Sequence, residues 1–118
     1  MTTSNLSILS GASLFTDTSN ADTAVAVKAS SASIYQLELD NTANAAATYM
    51  RMYNTTSVTV GTTVPDALYM VPPATKITMT YPEGVVWDTA VTISSGSSSV
   101  LGTTTAPVSA FAVRIVYV

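Results

Sequence analysis

The groups able to do chemistry in this chain are few. It holds seven carboxylates and four basic side chains in 118 residues, with no histidine and no cysteine. That removes thiolate nucleophiles, the imidazole of a Ser-His-Asp arrangement, disulfides and zinc sites built on Cys or His. Carboxylate pairs remain as acid–base candidates. Glu38 and Asp40 share the polar parity of one alternating run, where both face solvent, and no other pair is set for acid–base work. Asp17-Thr18-Ser19-Asn20-Ala21-Asp22 offers oxygen ligands to calcium but lacks the glycine and distal glutamate of an EF-hand loop, so it reads as a solvated turn. Asp40-Asn41 with Asn44 reads as an Asx turn. Five scattered glycines make no Walker loop and no dinucleotide fingerprint. The expectation is a protein with no catalytic, cofactor-binding or metal-binding residue, and not an enzyme.

Recognition by contact is the remaining chemistry. Trp87 with Tyr81 could form a sugar platform, but Trp87 shares its parity with Val85, Val91 and Ile93, which points it into a core. Tyr49, Arg51 and Tyr53 form a stripe opposite Met50 and Met52. That stripe fits two arrangements: a protein interface, where Tyr and Arg are enriched, or a sheet face covered by the opposite layer. Four basic residues and a net charge of −3 do not suit a phosphate backbone, so nucleic acid is not an expected partner. The uncharged stretch from Thr89 to Val113 has the length of a membrane span, but Gly96, Gly102, Pro107 and many hydroxyls interrupt it. The N-terminus shows no basic and apolar signal pattern. The reading is a protein made in a cytoplasm, with no membrane partner.

The elements that must position these residues repeat with period two. Ser33 to Asp40 sets Tyr35, Leu37 and Leu39 against Gln36, Glu38 and Asp40. Met50 and Met52 alternate with the Tyr/Arg stripe, and Ile77, Met79 and Tyr81 alternate with Lys76, Thr78 and Thr80. Phe111, Val113, Ile115 and Tyr117 form a C-terminal strand face. Val85, Trp87, Val91 and Ile93 allow one strand or two with a bend. Shorter alternations cover Val25 and Val27, Val58 and Val60, and Leu68 and Met70. Turn signals lie between, at Asn41 to Asn44, Gly61, Pro65-Asp66, Pro72-Pro73, Pro82-Glu83-Gly84, Ser95-Gly96 and Gly102. The Ala43 to Ala47 run is too short to nucleate a helix and reads as a hairpin loop between strands ending near Asp40 and starting near Thr48. The sum is an all-β antiparallel β-sandwich, jelly-roll or Ig-like, over residues 23–118. Residues 1–22 read as an extended N-terminal arm, against a frayed leader or an edge strand, and its Leu6, Ile8, Leu9, Leu14 and Phe15 could dock on a neighbour or on the chain's own sandwich.

Charged residues make up 9% of the chain, against about 25% in an ordinary soluble protein, while Ser and Thr supply roughly a third. A free monomer usually spreads charge over its surface for solubility, so this composition suits a surface covered by neighbours.

Three strings then bear on family. They are Glu38-Leu39-Asp40-Asn41-Thr42-Ala43-Asn44-Ala45-Ala46-Ala47-Thr48-Tyr49, Thr59-Val60-Gly61-Thr62-Thr63-Val64-Pro65-Asp66 and Tyr81-Pro82-Glu83-Gly84-Val85. In this order they resemble small virion structural proteins of tailed bacteriophages, in particular capsid decoration (cement) proteins of cyanophage and marine-phage type. The resemblance spans about residues 34–118 and leaves the leader out. It implies a protein of the virion capsid surface that binds the phage major capsid protein and bridges capsomers. It also implies a homo-oligomer, a trimer before a dimer, and carries over no catalytic residue. Loops of this style also occur in tail and fibre components, which form the nearest rival. A carbohydrate-binding module for host attachment is the rival of another class, and it requires an exposed Trp87 in a shallow groove.

Overall fold

The computed structural model describes residues 11–118. It contains eight strands and, among the described residues, no helix: β1 (Ser13–Asp17), β2 (Val25–Lys28), β3 (Ala32–Asp40), β4 (Thr48–Tyr53), β5 (Ala67–Val71), β6 (Lys76–Trp87), β7 (Val91–Gly96) and β8 (Ala112–Tyr117). One sheet has the order β1-β8-β3-β6 and the other β2-β7-β4-β5, with every pairing antiparallel. Strands pair from the outside inwards, β1 with β8, β2 with β7, β3 with β6 and β4 with β5. This nesting of one long hairpin, curled so that its pairs alternate between two sheets, is the jelly roll.

The core lies between the inner faces. Ile34, Leu37 and Leu39 of β3, Met50 and Met52 of β4, and Val113 and Ile115 of β8 are buried, with Phe111 beside them. Each such side chain contributes about 1.5–3 kcal/mol by leaving water. The alternation of β4, β6 and β8 puts the expected residues inward. In β3 it holds only for Leu37 and Leu39. Tyr35 turns outward and Ile34 takes the inward place, because the register shifts between Ile34 and Gln36 against both neighbours.

Strand β6 is irregular at the same level. Ile34 pairs with Val85 and Gln36 with Thr80, so Pro82-Glu83-Gly84 forms a bulge inside one twelve-residue strand and not a turn between two. Gly84 sits at φ 78°, and a β-carbon there would stand 3.0 Å from the Tyr35 ring. Strand β3 carries its own extra residue, Tyr35, between the pairs Ile34–Tyr117 and Gln36–Val116 with β8, and a bulge flips parity, which is why Tyr35 and Ile34 exchange faces.

Two further expectations change, and the one-or-two-strand alternative over Val85–Ile93 resolves to two. Asp40 and Thr48 do not close a hairpin, since β3 and β4 lie in different sheets and residues 41–47 cross between them. Trp87 and Val91 likewise belong to two strands in two sheets, joined by residues 88–90. Val58 and Val60 lie in a loop, not a strand. The arm boundary at residue 22 also moves. Ser13–Asp17 is an edge strand paired with β8 over all five residues, so this part of the leader belongs to the sandwich.

Candidate functional site

The Tyr49–Arg51–Tyr53 stripe lies on the outer face of the second sheet, yet that face is not open. Arg51 is 3% exposed and Tyr53 fully buried, while Tyr49 is half-buried. The interface alternative therefore fails for Arg51 and Tyr53 in this structure. The layer that covers them is not the opposite sheet but the chain's own loops. Arg51 Nη1 donates to Asp22 Oδ1 at 3.2 Å, and Nη2 donates to the carbonyls of Ser98 (2.6 Å) and Thr103 (3.5 Å). Burial pushes the Asp22 carboxyl up, and the guanidinium beside it pulls the other way. Gly96 leaves room for this clasp, since a β-carbon there would lie 3.1 Å from Arg51 Nη1 and 3.1 Å from the Thr105 carbonyl. The Tyr53 hydroxyl meets Ser94 Oγ at 3.2 Å.

The other carboxylates are similarly engaged. Asp17 accepts from the Ser19 amide and the Asn20 side chain, while Asp22 faces Arg51, so the two ends of the Asp17–Asp22 run turn to different partners. Glu38 pairs with Lys76 at 3.1 Å across β3 and β6 on an exposed face. Asp40 accepts from the Thr42 hydroxyl and amide, which hold its carboxyl below the usual range. Among the described residues, no three Asp or Glu side chains converge as a metal site.

Asn41 and Asn44 go well beyond the expected Asx turn. Asn41 is fully buried and its amide donates to the carbonyls of Ala46, Val71 and Pro72, while its oxygen accepts from Asn44 and Thr48. Asn44 reaches on to the 108–110 segment, accepting from the Ser109 amide at 2.7 Å. This network ties the 41–47 crossover to the ends of β5 and β8. Nothing in the local sequence separates such a buried hub from an exposed turn asparagine, because the partners lie 30 and 65 residues away.

Of the candidate docking residues in the leader, Leu14 is 53% exposed and Phe15 is half-buried against the core. Leu6, Ile8 and Leu9 lie outside the described residues. Trp87 is half-buried and packs on the core with Tyr81, as its parity requires. Both also line a cavity of about 260 Å³ with Ile34, Leu37, Met52 and Tyr69. It sits where β5 and β6, the edges of the two sheets, face each other. Burial, with Tyr81 close by, pushes the Tyr69 hydroxyl up to about 12. Tyr69 stays neutral at physiological pH.

The unsatisfied surface is apolar. Ten large hydrophobic side chains are exposed among the described residues, including Leu68 and Met70 on β5 and Val86 on β6. This arrangement can hold neighbours by contact and by strand pairing.

No family model, no curated protein and no solved structure matches this chain.

Proposed function

We propose that the protein is a virion structural protein, a decoration protein that binds the outer surface of a phage major capsid protein shell as a homo-oligomer and bridges neighbouring capsomers. The observation that carries this reading is the surface. Ten large apolar side chains stand exposed in a chain with only 9% charged residues, and two of those charges, Asp22 and Arg51, are consumed in a buried clasp. Such a surface is costly to leave in water and inexpensive to cover, because apolar contact stabilises and no unpaired charge must be desolvated.

The jelly roll occurs in virus coat proteins, in lectins and in cupins, so the fold alone leaves function to the surface. The resemblance of the 38–49, 59–66 and 81–85 strings to phage decoration proteins supports the first of these. Trp87 favours it over a sugar-binding module, which requires an exposed ring, since Trp87 is half-buried and packed against the core. Adhesion of this kind is multivalent. Each copy touches several subunits, and later contacts form at an effective concentration of about mM for short spacings.

The test is co-sedimentation of purified protein with phage heads stripped of it, at about 0.05 and about 0.5 M salt, a range over which the screening length of exposed charges falls severalfold. Saturable binding that hardly changes with salt is the expected result. Binding to purified tails but not heads would move the protein to the tail. Binding to neither, or a steep loss with salt, rejects the reading.

A further inference from the structure

The geometry points to β5 as a self-pairing edge, through which two copies join antiparallel about a twofold axis at Tyr69. β5 is the outer strand of the second sheet, so one side of its backbone ladder has no strand beside it. Proteins guard such edges with charge, proline or bulges. Of the four edge strands among the described residues, β2 carries Lys28 and a register shift, β6 carries Lys76 and the Pro82–Gly84 bulge, and β1 ends in Asp17. β5 alone, Ala67-Leu68-Tyr69-Met70-Val71, has neither a charge nor a proline within it.

The chemistry of this edge names its occupant. An unpaired ladder takes another extended strand, and this one is complementary to itself. With Tyr69 opposite Tyr69 of a second copy, Leu68 faces Met70 of that copy, twice, on the outer face. These two side chains are 45% and 53% exposed in the single chain. Cross-strand apolar pairs of this kind stabilise antiparallel edges. The flanks set the register. Pro72 and Pro73 follow directly and Pro65 lies just upstream, so any slip brings an imide without an N–H into the ladder.

A second observation is independent of the backbone. The cavity of about 260 Å³ opens beside β5, lined by Tyr69, Tyr81 and Trp87. Pairing continues the second sheet through its neighbour's copy, and the inward-facing Tyr69 of that copy then lies against the cavity mouth. The contact is isologous, which makes it closed and dimeric and guards against open filaments. Of the two oligomers expected for a decoration protein, it selects the dimer. The inference rests on the proposed function only in requiring copies that associate.

The chain has no cysteine, so thiols can be placed without background. Full-length Leu68→Cys and Met70→Cys variants, mixed and mildly oxidised, should give a mixed disulfide dimer. Neither variant alone should do so, because 68 faces 70 and not itself. Sedimentation velocity of the unmodified chain should show a monomer–dimer equilibrium with a dissociation constant on the order of 10 µM, as expected of a small interface. Met70→Lys should raise that constant at least about tenfold by placing charge on the edge. Dilution through the transition should shift Trp87 emission to the red as the cavity mouth uncovers. A monomer at every concentration, a dimer indifferent to Met70→Lys, or equal crosslinking by single-cysteine variants overturns the inference. So does capture of a capsid chain by Leu68→Cys in place of a second copy. If heads bind the Met70→Lys monomer normally, decoration stands and the pairing is not part of it. If pairing is found and heads are not bound, the reverse holds.

Discussion

The two long sides of the sandwich are finished differently. On one side the chain from β1 to β2 passes between the sheets and is bonded to both. The Asn20 amide donates to Phe111, the Ser95 amide to Ala21, and Ser95 Oγ to Asn20 Oδ1. Asp22 then continues into the Arg51 clasp, which draws the 98–103 loop over the second sheet. On the other side β5 and β6 leave a cavity, a β5 edge with no charge or proline within it, and exposed Leu68 and Met70. One side has its polar groups paired within the chain, save Asp22 Oδ2, which is buried without a hydrogen-bond partner. The other has contacts still to make. The difference teaches where this molecule's stability sits and where its association sits, and substitutions should separate the two.

The largest effect belongs to the closed side. Arg51→Met should cost about 3–5 kcal/mol, because it leaves Asp22 buried without its partner. Urea denaturation checks this, and the loss should be larger at neutral pH than near pH 4. Burial already raises the Asp22 carboxyl, and removing the cation raises it further, so stability is lost as pH rises through that raised value. Asn41→Ala follows at about 3 kcal/mol, since it takes the buried partner from the Val71 carbonyl and the Thr48 hydroxyl and removes the contacts to Ala46, Pro72 and Asn44. The same denaturation series measures it.

Gly84→Ala should cost about 1–2 kcal/mol, from a positive φ and from contact with Tyr35, and it would loosen the bulge. On the open side, Met70→Lys should change monomer stability by less than about 0.5 kcal/mol, measured at low concentration, while changing association strongly. A comparable loss of monomer stability would end the contrast between the two sides. The smallest effect is that of Asp88→Ala. Asn54 and then Thr89 hold the Asp88 carboxyl below its ordinary value of 3.8. Its contribution is therefore present above that value and lost as pH falls through the lowered one. The difference in melting temperature between wild type and Asp88→Ala should shrink on acidification to below about pH 3.

How much of this was legible in the sequence depended on how local the cause was. Alternation is local, and it located β4, β8, the first half of β6 and most of β3. The buried faces of Met50–Met52 and Val113–Ile115 followed directly from it. Ile34 and Tyr35 were misplaced because β3 carries a bulge at Tyr35, which shows only in its pairing with β6 and β8. Pro82-Glu83-Gly84 has the composition of a turn, and only its pairing with β3 makes it a bulge. Asn54 gave no signal, yet it accepts from the Thr89 and Ala90 amides and so fixes the crossover between the sheets. The Tyr49–Arg51–Tyr53 stripe was recognised as a face, but the loops that cover it come from elsewhere in the chain.

The sequence by itself determined an all-β sandwich, its apolar strand faces, and a surface with few charges. These depend on side-chain identity at period two and on counting. Tertiary structure decided the nested strand order, the closing of one side by Asp22 and Arg51, and the exposure of β5 as an edge. Those depend on which distant backbones meet. A strand's pattern states which of its faces is buried, but not whether a neighbour lies beyond its edge.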